Sequence, residues 1–387
     1  MRPGGMLPSR SAFDLSPNPL ALAVDRARAA GRPILDLTES NPTRAGVPYD
    51  GDAILAAIAS PRALAYEPLP FGLPSAREAV ARELGVDAAR VVLTASTSEA
   101  YAFLFKLLCD PGDEVLVPTP SYPLFEHLAR LESVRAVPYR LAYDGAWHVD
   151  LASVRAAVGA RTRAVVSVAP NNPTGSYLKK DELAALASLG LPIVSDEVFA
   201  RYPLRDDPGR AWTALEAGDA PLVFALGGLS KLAALPQMKL AWIAAGGEGA
   251  RVTGALARLE VIADAFLSVG TPVQHAAPAL LASRAVAEGA IAARVRANLA
   301  AVRAAVAGSA ASLLDVEGGW YATLRLPATR SEQDWTLALL EHDGVLVHPG
   351  HFFDFELEAY LVVSLLTPEE PLREGLRRLV ARVEREA

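Results

Sequence analysis

Apolar and polar stretches alternate regularly between about residue 75 and residue 245. Short runs that are nearly all apolar, among them RVVLT (90–94), DEVLVP (113–118) and LVFAL (222–226), are typical of strands buried on both faces. Longer amphipathic stretches such as SAREAVARELG (75–85) lie between them and predict helices. Strands that alternate with helices of this length predict a mainly parallel sheet covered by helices on both faces.

The pattern changes after about residue 247. An alanine-rich helical region runs to about residue 306, and the runs GWYATLRLP, GVLVHPGHFF and AYLVVSLL then predict further strands. The amphipathic stretch LREGLRRLVARVERE predicts a closing helix. We therefore predict an α/β fold in two parts: a large domain over residues 46–265, and a small α+β domain built from residues 1–45 together with 266–387.

The composition limits the kinds of molecule that the protein is expected to bind. The chain has 387 residues, of which 51% are hydrophobic and 21% charged, with net charge −7, and no basic block favours a nucleic-acid partner. No apolar run has the length of a membrane span, and prolines interrupt the N-terminal stretch where a signal peptide needs an apolar core. The single cysteine, Cys109, cannot form an internal disulfide, so we expect a cytoplasmic protein. We predict no metal site.

The residues directly after the predicted strands form the candidate site, because open α/β sheets bind ligands at the carboxyl ends of their strands. ASTSEA (95–100) follows the strand RVVLT, and Ser96 and Glu99 have the spacing of a helix capping box. A cap alone would also explain that spacing. Thr97 and Ser98, at the start of such a helix, are suited to bind a phosphate through backbone N–H groups and hydroxyls.

Three further strand ends carry aromatic or polar residues. Tyr122 follows DEVLVP and suits stacking on a planar ring, although an aromatic side chain here often belongs to the core. Asn172 lies in NNPTG, which is a turn signal by itself and also places an amide donor at a strand end. Asp196 follows LPIVS either as a helix cap or as the buried partner of a cation.

Two lysines, Lys231 and Lys239, follow the strand LVFAL. A buried lysine is costly unless it is paired, neutralised or used in chemistry. Desolvation and a nearby cation lower the pKa of a lysine from about 10.4, which frees its lone pair to form an imine. We expect Lys239 to supply that cation for Lys231 and also to neutralise a phosphate.

One ligand explains all five strand ends. Pyridoxal phosphate combines a phosphate, a flat ring, a ring nitrogen, a ring oxygen and an aldehyde, and its ring accepts the electrons of a carbanion. In that order, the residues suited to these groups are Thr97 with Ser98, Tyr122, Asp196, Asn172 and Lys231.

The ordered set of motifs resembles the fold-type-I, class I and II aminotransferases along nearly the whole chain. In the order of that family, the matching pieces are YEPLPFGLPSAREAVA (66–81), ASTSEA, DPGDEVLVPTPSYPLF (110–125), NNPTG, SDEVF and LSKLAALPQMK. The resemblance implies a large domain with a seven-stranded, mainly parallel sheet and a small domain assembled from both termini. It also implies a pyridoxal-phosphate-dependent aminotransferase that forms an aldimine with Lys231.

The same resemblance assigns further roles. It makes Lys231 the base that moves the substrate's proton, and Asn172 the donor to the phenolic oxygen of the cofactor. Ser230 resembles a phosphate ligand. Tyr66 resembles the tyrosine that crosses a dimer interface to the phosphate of the partner, which implies a homodimer with shared active sites.

Three positions depart from the family pattern. Lys239 stands where arginine is usual, and keeps the charge without the planar fork. Phe199 stands where tyrosine is usual, so we expect a raised aldimine pKa, with Tyr202 as another source of the hydroxyl. Val362 stands where an arginine normally binds the α-carboxylate of the substrate. The candidate replacements are His348, His351, Arg325 and Arg44, and both histidines have ordinary structural explanations as well.

These observations favour an aminotransferase that acts on a small-molecule amino donor and an oxo acceptor of open identity. Because Val362 removes an expected carboxylate ligand, a lyase, racemase or decarboxylase on the same scaffold is the alternative. A ligand-sensing module of a DNA-binding regulator is a third hypothesis. The N-terminal 45 residues disfavour it, since they show neither a helix-turn-helix pattern nor a basic face.

Overall fold

The computed structural model describes residues 8–218, 220–357 and 359–386. The strands are β1 (Leu35–Asp36), β2 (Val91–Thr94), β3 (Glu114–Thr119), β4 (Arg135–Tyr143), β5 (Trp147–Val149), β6 (Thr162–Val168), β7 (Ile193–Asp196), β8 (Leu222–Gly228), β9 (Ala241–Gly247), β10 (Ser312–Leu313), β11 (Tyr321–Arg325), β12 (Val345–Leu346), β13 (His348–Pro349) and β14 (Tyr360–Ser364). The α-helices are α1 (Pro19–Ala29), α2 (Gly51–Ile58), α3 (Pro74–Leu84), α4 (Thr97–Leu108), α5 (Phe125–Leu131), α6 (Leu151–Ala157), α7 (Lys180–Ala187), α8 (Leu229–Leu232), α9 (Gly249–Asp264), α10 (Thr271–Ala282), α11 (Ala285–Val306), α12 (Glu332–Asp343) and α13 (Glu369–Glu386).

The large sheet has the strand order β2-β9-β8-β7-β6-β3-β4-β5. The pairs from β8 through β7, β6 and β3 to β4 are parallel, while β9 runs antiparallel to both of its neighbours, and β5 is antiparallel to β4. The predicted α/β class is confirmed. Within the described residues the sheet has eight strands rather than the expected seven, because the short β5 folds back against β4 at the edge.

Both faces of the large sheet are covered by helices, as the nearly continuous apolar strands require. On one face, α4, α5 and α9 contribute side chains such as Leu104, Phe125 and Leu259 to a buried cluster. On the other face, Leu183 and Leu186 of α7 pack against apolar residues of β6, β7 and β8. The sheet is therefore a buried central layer, and its strand ends open at one rim.

A second sheet, of order β10-β11-β14-β13, is antiparallel and packs one face on α11 and α13. The two chain ends meet beside it, because β1 pairs in parallel with β12 and α1 packs on α12. Helix α10 instead packs against α3. These contacts do not fix the limits of the two predicted domains, so the domain boundaries at residues 45/46 and 265/266 stay a prediction.

Two local elements differ from the sequence prediction. The helical pattern SYPLFEHLARLE (121–132) predicts a helix from residue 121, but α5 begins at Phe125, since Pro120 and Pro123 have no N–H to donate and interrupt the preceding segment. The apolar run of β9 was not among the predicted strands.

The described helices were also compared with the requirements of a membrane span. None of them has the necessary length and apolarity alone. The pair α10 and α11, bent by 61°, meets the length and composition criteria only when the two helices are taken together.

Candidate active site

Lys231 lies directly after β8, in the short helix α8. Its Nζ atom is 5.0 Å from the ring centre of Trp320 and 5.5 Å from that of Phe199. Burial lowers the pKa of Lys231 to about 8, and the charge of Asp196 opposes this shift. A lysine with this pKa is partly deprotonated near neutral pH, so the site offers a nucleophilic amine.

Lys239 does not supply the cation that was expected to lower the pKa of Lys231. It is exposed, and it takes a left-handed backbone conformation with φ 51° directly after the 3-10 turn Pro236–Met238. Desolvation lowers the pKa of Lys231, and the charge of Asp196 opposes that shift. Of the two causes that the sequence analysis named, desolvation therefore accounts for the shift, and the expected contribution of the Lys239 cation is not seen.

Tyr202 holds the backbone of the lysine rather than replacing the missing hydroxyl at position 199. Its hydroxyl is buried and donates to the carbonyl oxygen of Lys231 at 2.7 Å. Phe199 is buried too, with its ring edge-on to Trp320 at 5.3 Å. The alternative that Tyr202 supplies the hydroxyl absent at Phe199 is therefore disfavoured by this hydrogen bond.

Asp196 ends β7 and is buried. Its Oδ1 accepts a hydrogen bond from the Val198 N–H at 3.2 Å, and its Oδ2 accepts one from the Tyr101 hydroxyl at 3.3 Å. Burial raises the pKa of Asp196 to about 6, while these two hydrogen bonds and the charge of Lys231 lower it. The carboxyl is thus mostly ionised at neutral pH and lies where a cationic group is its natural partner.

The two asparagines of NNPTG have different roles. Asn171 builds the turn: its Nδ2 donates to the Pro120 carbonyl at 3.0 Å and to Thr174 Oγ1 at 2.9 Å. Asn172 Oδ1 is buried without a hydrogen-bond partner among the described residues. Because buried polar atoms are nearly always hydrogen-bonded, the Asn172 amide is the one left for a ligand.

The start of α4 is built as the sequence predicts. Ser96 Oγ accepts from the Glu99 N–H at 3.2 Å. The Glu99 side chain accepts from the Ala95 N–H at 2.7 Å, one residue before the position that a full capping box uses. Thr97 and Ser98 occupy the first turn and are partly exposed, so this helix start can receive an anion.

The remaining candidates are placed as follows. Tyr122 is half-buried with its ring edge-on to Phe125 at 5.8 Å, and burial raises its pKa to about 12. Ser230 is half-buried in α8 beside Lys231. Tyr66 precedes α3 and is 77% exposed. The charge of Asp196 raises the pKa of both Lys231 and Tyr122, so the structure brings these three side chains into one site.

Sequence reasoning missed two aromatic residues of this site. Trp320 is fully buried and forms part of the cover over Lys231. Tyr101 binds Asp196. The double glycine before Trp320 was a usable signal, because a Cβ at Gly318 would lie 2.5 Å from the Tyr177 ring and so marks a close approach of chain segments. Tyr101 gave no such signal, since it resembles any other apolar position of α4.

Val362 is fully buried in β14, where it pairs with Thr323 on one side and with His348 on the other. Burial lowers the pKa of His348, and Asp36 opposes that shift. Of the four candidate replacements for an arginine, His348 is the one in register with Val362. Arg325 and Arg44 are exposed, and His351 Nδ1 lies 3.3 Å from Glu332.

The chain is similar to known proteins along most of its length. Residues 33–379 match the family model described as aminotransferase class I and II. Glutamate-pyruvate aminotransferase AlaA of Escherichia coli K12 is 30% identical over 269 residues, which cover 67% of this chain and 66% of AlaA, just under two thirds of that relative. Nicotianamine aminotransferase B of Hordeum vulgare is 31% identical over 229 residues, or 55% of this chain and 41% of the relative.

Solved structures show the same fold. Alanine aminotransferase from Pyrococcus furiosus superposes with a TM-score of 0.86 at 24% identity, covering 95% of this chain and 96% of that one. A single mutant of Thermus thermophilus aspartate aminotransferase gives 0.82 at 25% identity, covering 97% and 99%. Since the family match extends over residues 33–379 and the fold agrees along nearly all of the chain, this protein belongs to the class I and II aminotransferases.

Proposed function

We propose that this protein is a pyridoxal-phosphate-dependent aminotransferase that moves an amino group between an amino acid or amine and an oxo acid. The observation that carries the proposal is the pairing of a half-buried lysine with a buried aspartate at adjacent strand ends. Lys231 has a pKa lowered to about 8, and Asp196 has one raised to about 6. Both are costly in a folded protein unless chemistry uses them.

The donor set fits this cofactor. Asn172 has a buried amide oxygen without a partner, we propose that its Nδ2 donates to the ring oxygen, and Asp196 is a largely ionised carboxylate suited to a protonated ring nitrogen. The helix start at α4 suits a phosphate. The residues that we propose to hold the phosphate are Thr97, Ser98, Ser230 and Lys239, and those that hold the ring are Tyr122, Asn172 and Asp196.

The bound cofactor would supply an aldehyde and an electron-accepting ring. In this proposal, the Lys231 amine would hold the cofactor at its aldehyde, and the same amine would serve as the base that moves the proton at the substrate's Cα. A base with a pKa of about 8 is well matched to proton transfer near neutral pH. Phe199 and Trp320 cover the amine and keep water away from it.

We also propose a homodimer in which Tyr66 completes the site of its partner. Tyr66 is 77% exposed in the single chain, and other large apolar side chains near it in sequence are exposed as well, including Leu64 and Leu69. Tyr66 and Leu69 line the same surface depression as Leu267. Phe266, next to Leu267, is about half exposed. Exposed apolar residues that cluster in this way are typical of a subunit interface.

The other expectations continue as parts of the proposal. The partners are small molecules, without nucleic acid or membrane, and the compartment is the cytoplasm. The acidic net charge of −7 and the single cysteine support this assignment.

One observation favours a second reaction on the same site. Val362 provides no cation for an α-carboxylate, and the side chains in register with it, Thr323 and His348, are neutral or have a lowered pKa. A lyase, racemase or decarboxylase is the alternative. Release of pyruvate and ammonia from cysteine without an oxo acceptor would favour a lyase.

The experiment is a half-reaction screen. The purified protein is loaded with pyridoxal phosphate and incubated with amino donors, including amines that lack a carboxylate. An aminotransferase converts the cofactor to pyridoxamine phosphate and releases an equal amount of the oxo product. If no donor yields pyridoxamine phosphate, the proposed reaction is wrong.

A further inference from the structure

Tyr101 lies one turn into α4 and is completely buried. Its hydroxyl donates to Asp196 Oδ2 at 3.3 Å. The same helix begins with Thr97 and Ser98, the residues suited to a phosphate. One rigid helix therefore connects the anion-binding end of the site to the carboxylate at its other end.

The hydroxyl of Tyr101 stays a donor under all ordinary conditions. Burial raises the pKa of Tyr101 well above its usual value, and the nearby charge of Asp196 adds to this shift. The hydrogen bond in turn lowers the pKa of Asp196, against the larger opposing effect of burial. The other groups that face this carboxyl are the Val198 N–H and the Lys231 amine, while Tyr122 and Glu197 are close enough to sense its charge.

The Tyr101 ring is fixed by aromatic neighbours. It packs edge-on to Phe125 at 5.5 Å with an interplanar angle of 79°, and Phe125 packs edge-on to Tyr122 at 5.8 Å. Phe105, one turn along α4, packs against its other side at 5.9 Å. With this support the hydroxyl has a single direction, toward Asp196.

We propose that Tyr101 is a positioning residue that keeps the Asp196 carboxylate ionised and aimed at the ring nitrogen of pyridoxal phosphate. The inference rests on the proposed function. It adds a residue that lies just beyond the ASTSEA motif and outside the donor set described above. Tyr101 acts only through Asp196 and touches neither substrate nor cofactor.

The test compares Tyr101→Phe with Tyr139→Phe. Tyr139 is also fully buried in the large domain, but its hydroxyl donates to the Val166 carbonyl at 2.9 Å, away from Asp196. Both variants lose one buried hydroxyl. The readouts are the dissociation constant of pyridoxal phosphate and the protonation of its ring nitrogen, followed by ¹⁵N NMR of labelled cofactor across pH 6 to 9.

We expect Y101F to weaken cofactor binding by roughly tenfold, since hydrogen bonds to charged groups carry the larger energies of their class. The ring nitrogen of pyridoxal phosphate bound to Y101F should lose its proton at a lower pH than that of the cofactor bound to the wild type. Y139F should match the wild type in both readouts. A Tyr101→His variant, which keeps an N–H donor, should recover part of the loss and serves as the test if Y101F does not fold.

Two failures are distinguishable. If the wild type binds pyridoxal phosphate but Y101F and Y139F titrate alike, the role of Tyr101 is overturned while the proposed function stands. If the wild type binds no pyridoxal phosphate, the proposed function itself fails.

Discussion

Two desolvated ionisable side chains, buried Asp196 and half-buried Lys231, work against the stability of the cofactor-free fold. Burial moves the pKa of Asp196 up to about 6 and that of Lys231 down to about 8, so each is shifted toward its neutral form. Their mutual attraction recovers only part of this cost, since desolvation is the largest cause in both cases. Conflicts of this kind between stability and charge are characteristic of functional sites.

The substitution Asp196→Asn makes this conflict measurable. Folded Asp196 binds its proton up to about pH 6, whereas the unfolded chain releases it near pH 3.8, so wild-type stability falls as the pH rises through this window. Asparagine at this position has no proton to release, so the D196N variant does not lose stability in this way as the pH rises. We expect the unfolding free energy of apo D196N, relative to wild type, to increase by about 3 kcal/mol between pH 3 and pH 7.

The measurement is denaturant unfolding of both cofactor-free proteins across that pH range. Turnover of cofactor-loaded D196N should fall at least about 100-fold, as expected when a preorganised charge is removed. Glu182→Gln is a matched control, because burial also raises the pKa of Glu182 but its carboxylate binds the Val149 and Lys179 N–H groups instead. A pH-independent stability difference for D196N would contradict this account.

At the scale of elements, the end of β8 aims the lysine. Gly227 lies directly across from Trp242 of β9, and a Cβ at Gly227 would come within 2.5 Å of the indole nitrogen. The glycine lets the large ring lie flat against the strand just before α8 begins. A tight contact at this point fixes the direction in which the chain enters the Lys231 turn.

The substitution Gly227→Ala should therefore destabilise the protein by about 1–3 kcal/mol, as expected for overpacking a rigid core. Chemical denaturation checks this value. Gly249→Ala is the matched control, since a Cβ at the first residue of α9 meets nothing within 4 Å. In a Trp242→Leu background the same change at Gly227 should cost less, and an equal cost in both backgrounds would contradict the proposed contact.

The elements that the sequence predicted are those with long, uniform patterns. The buried strands β3, β6, β7 and β8 and helices α3 and α4 lie where the apolar runs and periodicity place them. The elements that the sequence did not predict were missed for physical reasons. Strand β1 has two residues, too few for a pattern, and it exists because it pairs with β12 from the far end of the chain.

The sequence likewise predicted some residues of the candidate site and missed others. Residues at strand ends, such as Lys231 and Asp196, follow from the rule that parallel strands open at one rim. Tyr101 and Trp320 did not follow, because their roles depend on which helix or loop packs above the site. The assigned contacts to pyridoxal phosphate and the aldimine effect of Phe199 stay predictions.

At the scale of the whole molecule, charged contacts join segments that are far apart in the sequence. Glu317 is buried and accepts hydrogen bonds from Lys179 Nζ at 2.7 Å and from Arg205 at 2.6 Å. In the sequence, Glu317 precedes Trp320 by three residues, and Trp320 covers Lys231. These contacts join the segment that leads to Trp320 with the segments before α7 and after β7.

The proposed homodimer predicts complementation between two inactive variants. In a mixed dimer of Lys231→Ala and Tyr66→Ala chains, one site lacks both residues and the other has Lys231 from one chain and Tyr66 from its partner. Unfolding and refolding an equal mixture should restore about a quarter of wild-type activity, because half of the dimers carry one intact site. Sedimentation should show a dimer, and an inactive mixture of properly formed dimers would contradict a shared site.

The central claim is that the Lys231 amine bonds the aldehyde of pyridoxal phosphate. The chain has five lysines, so covalent mapping is decisive. The protein is loaded with pyridoxal phosphate, reduced with borohydride, digested and analysed by mass spectrometry. The account predicts a phosphopyridoxyl label on Lys231 that is absent in Lys231→Ala; a label on Lys239 or another lysine instead, or no label at all, would contradict it.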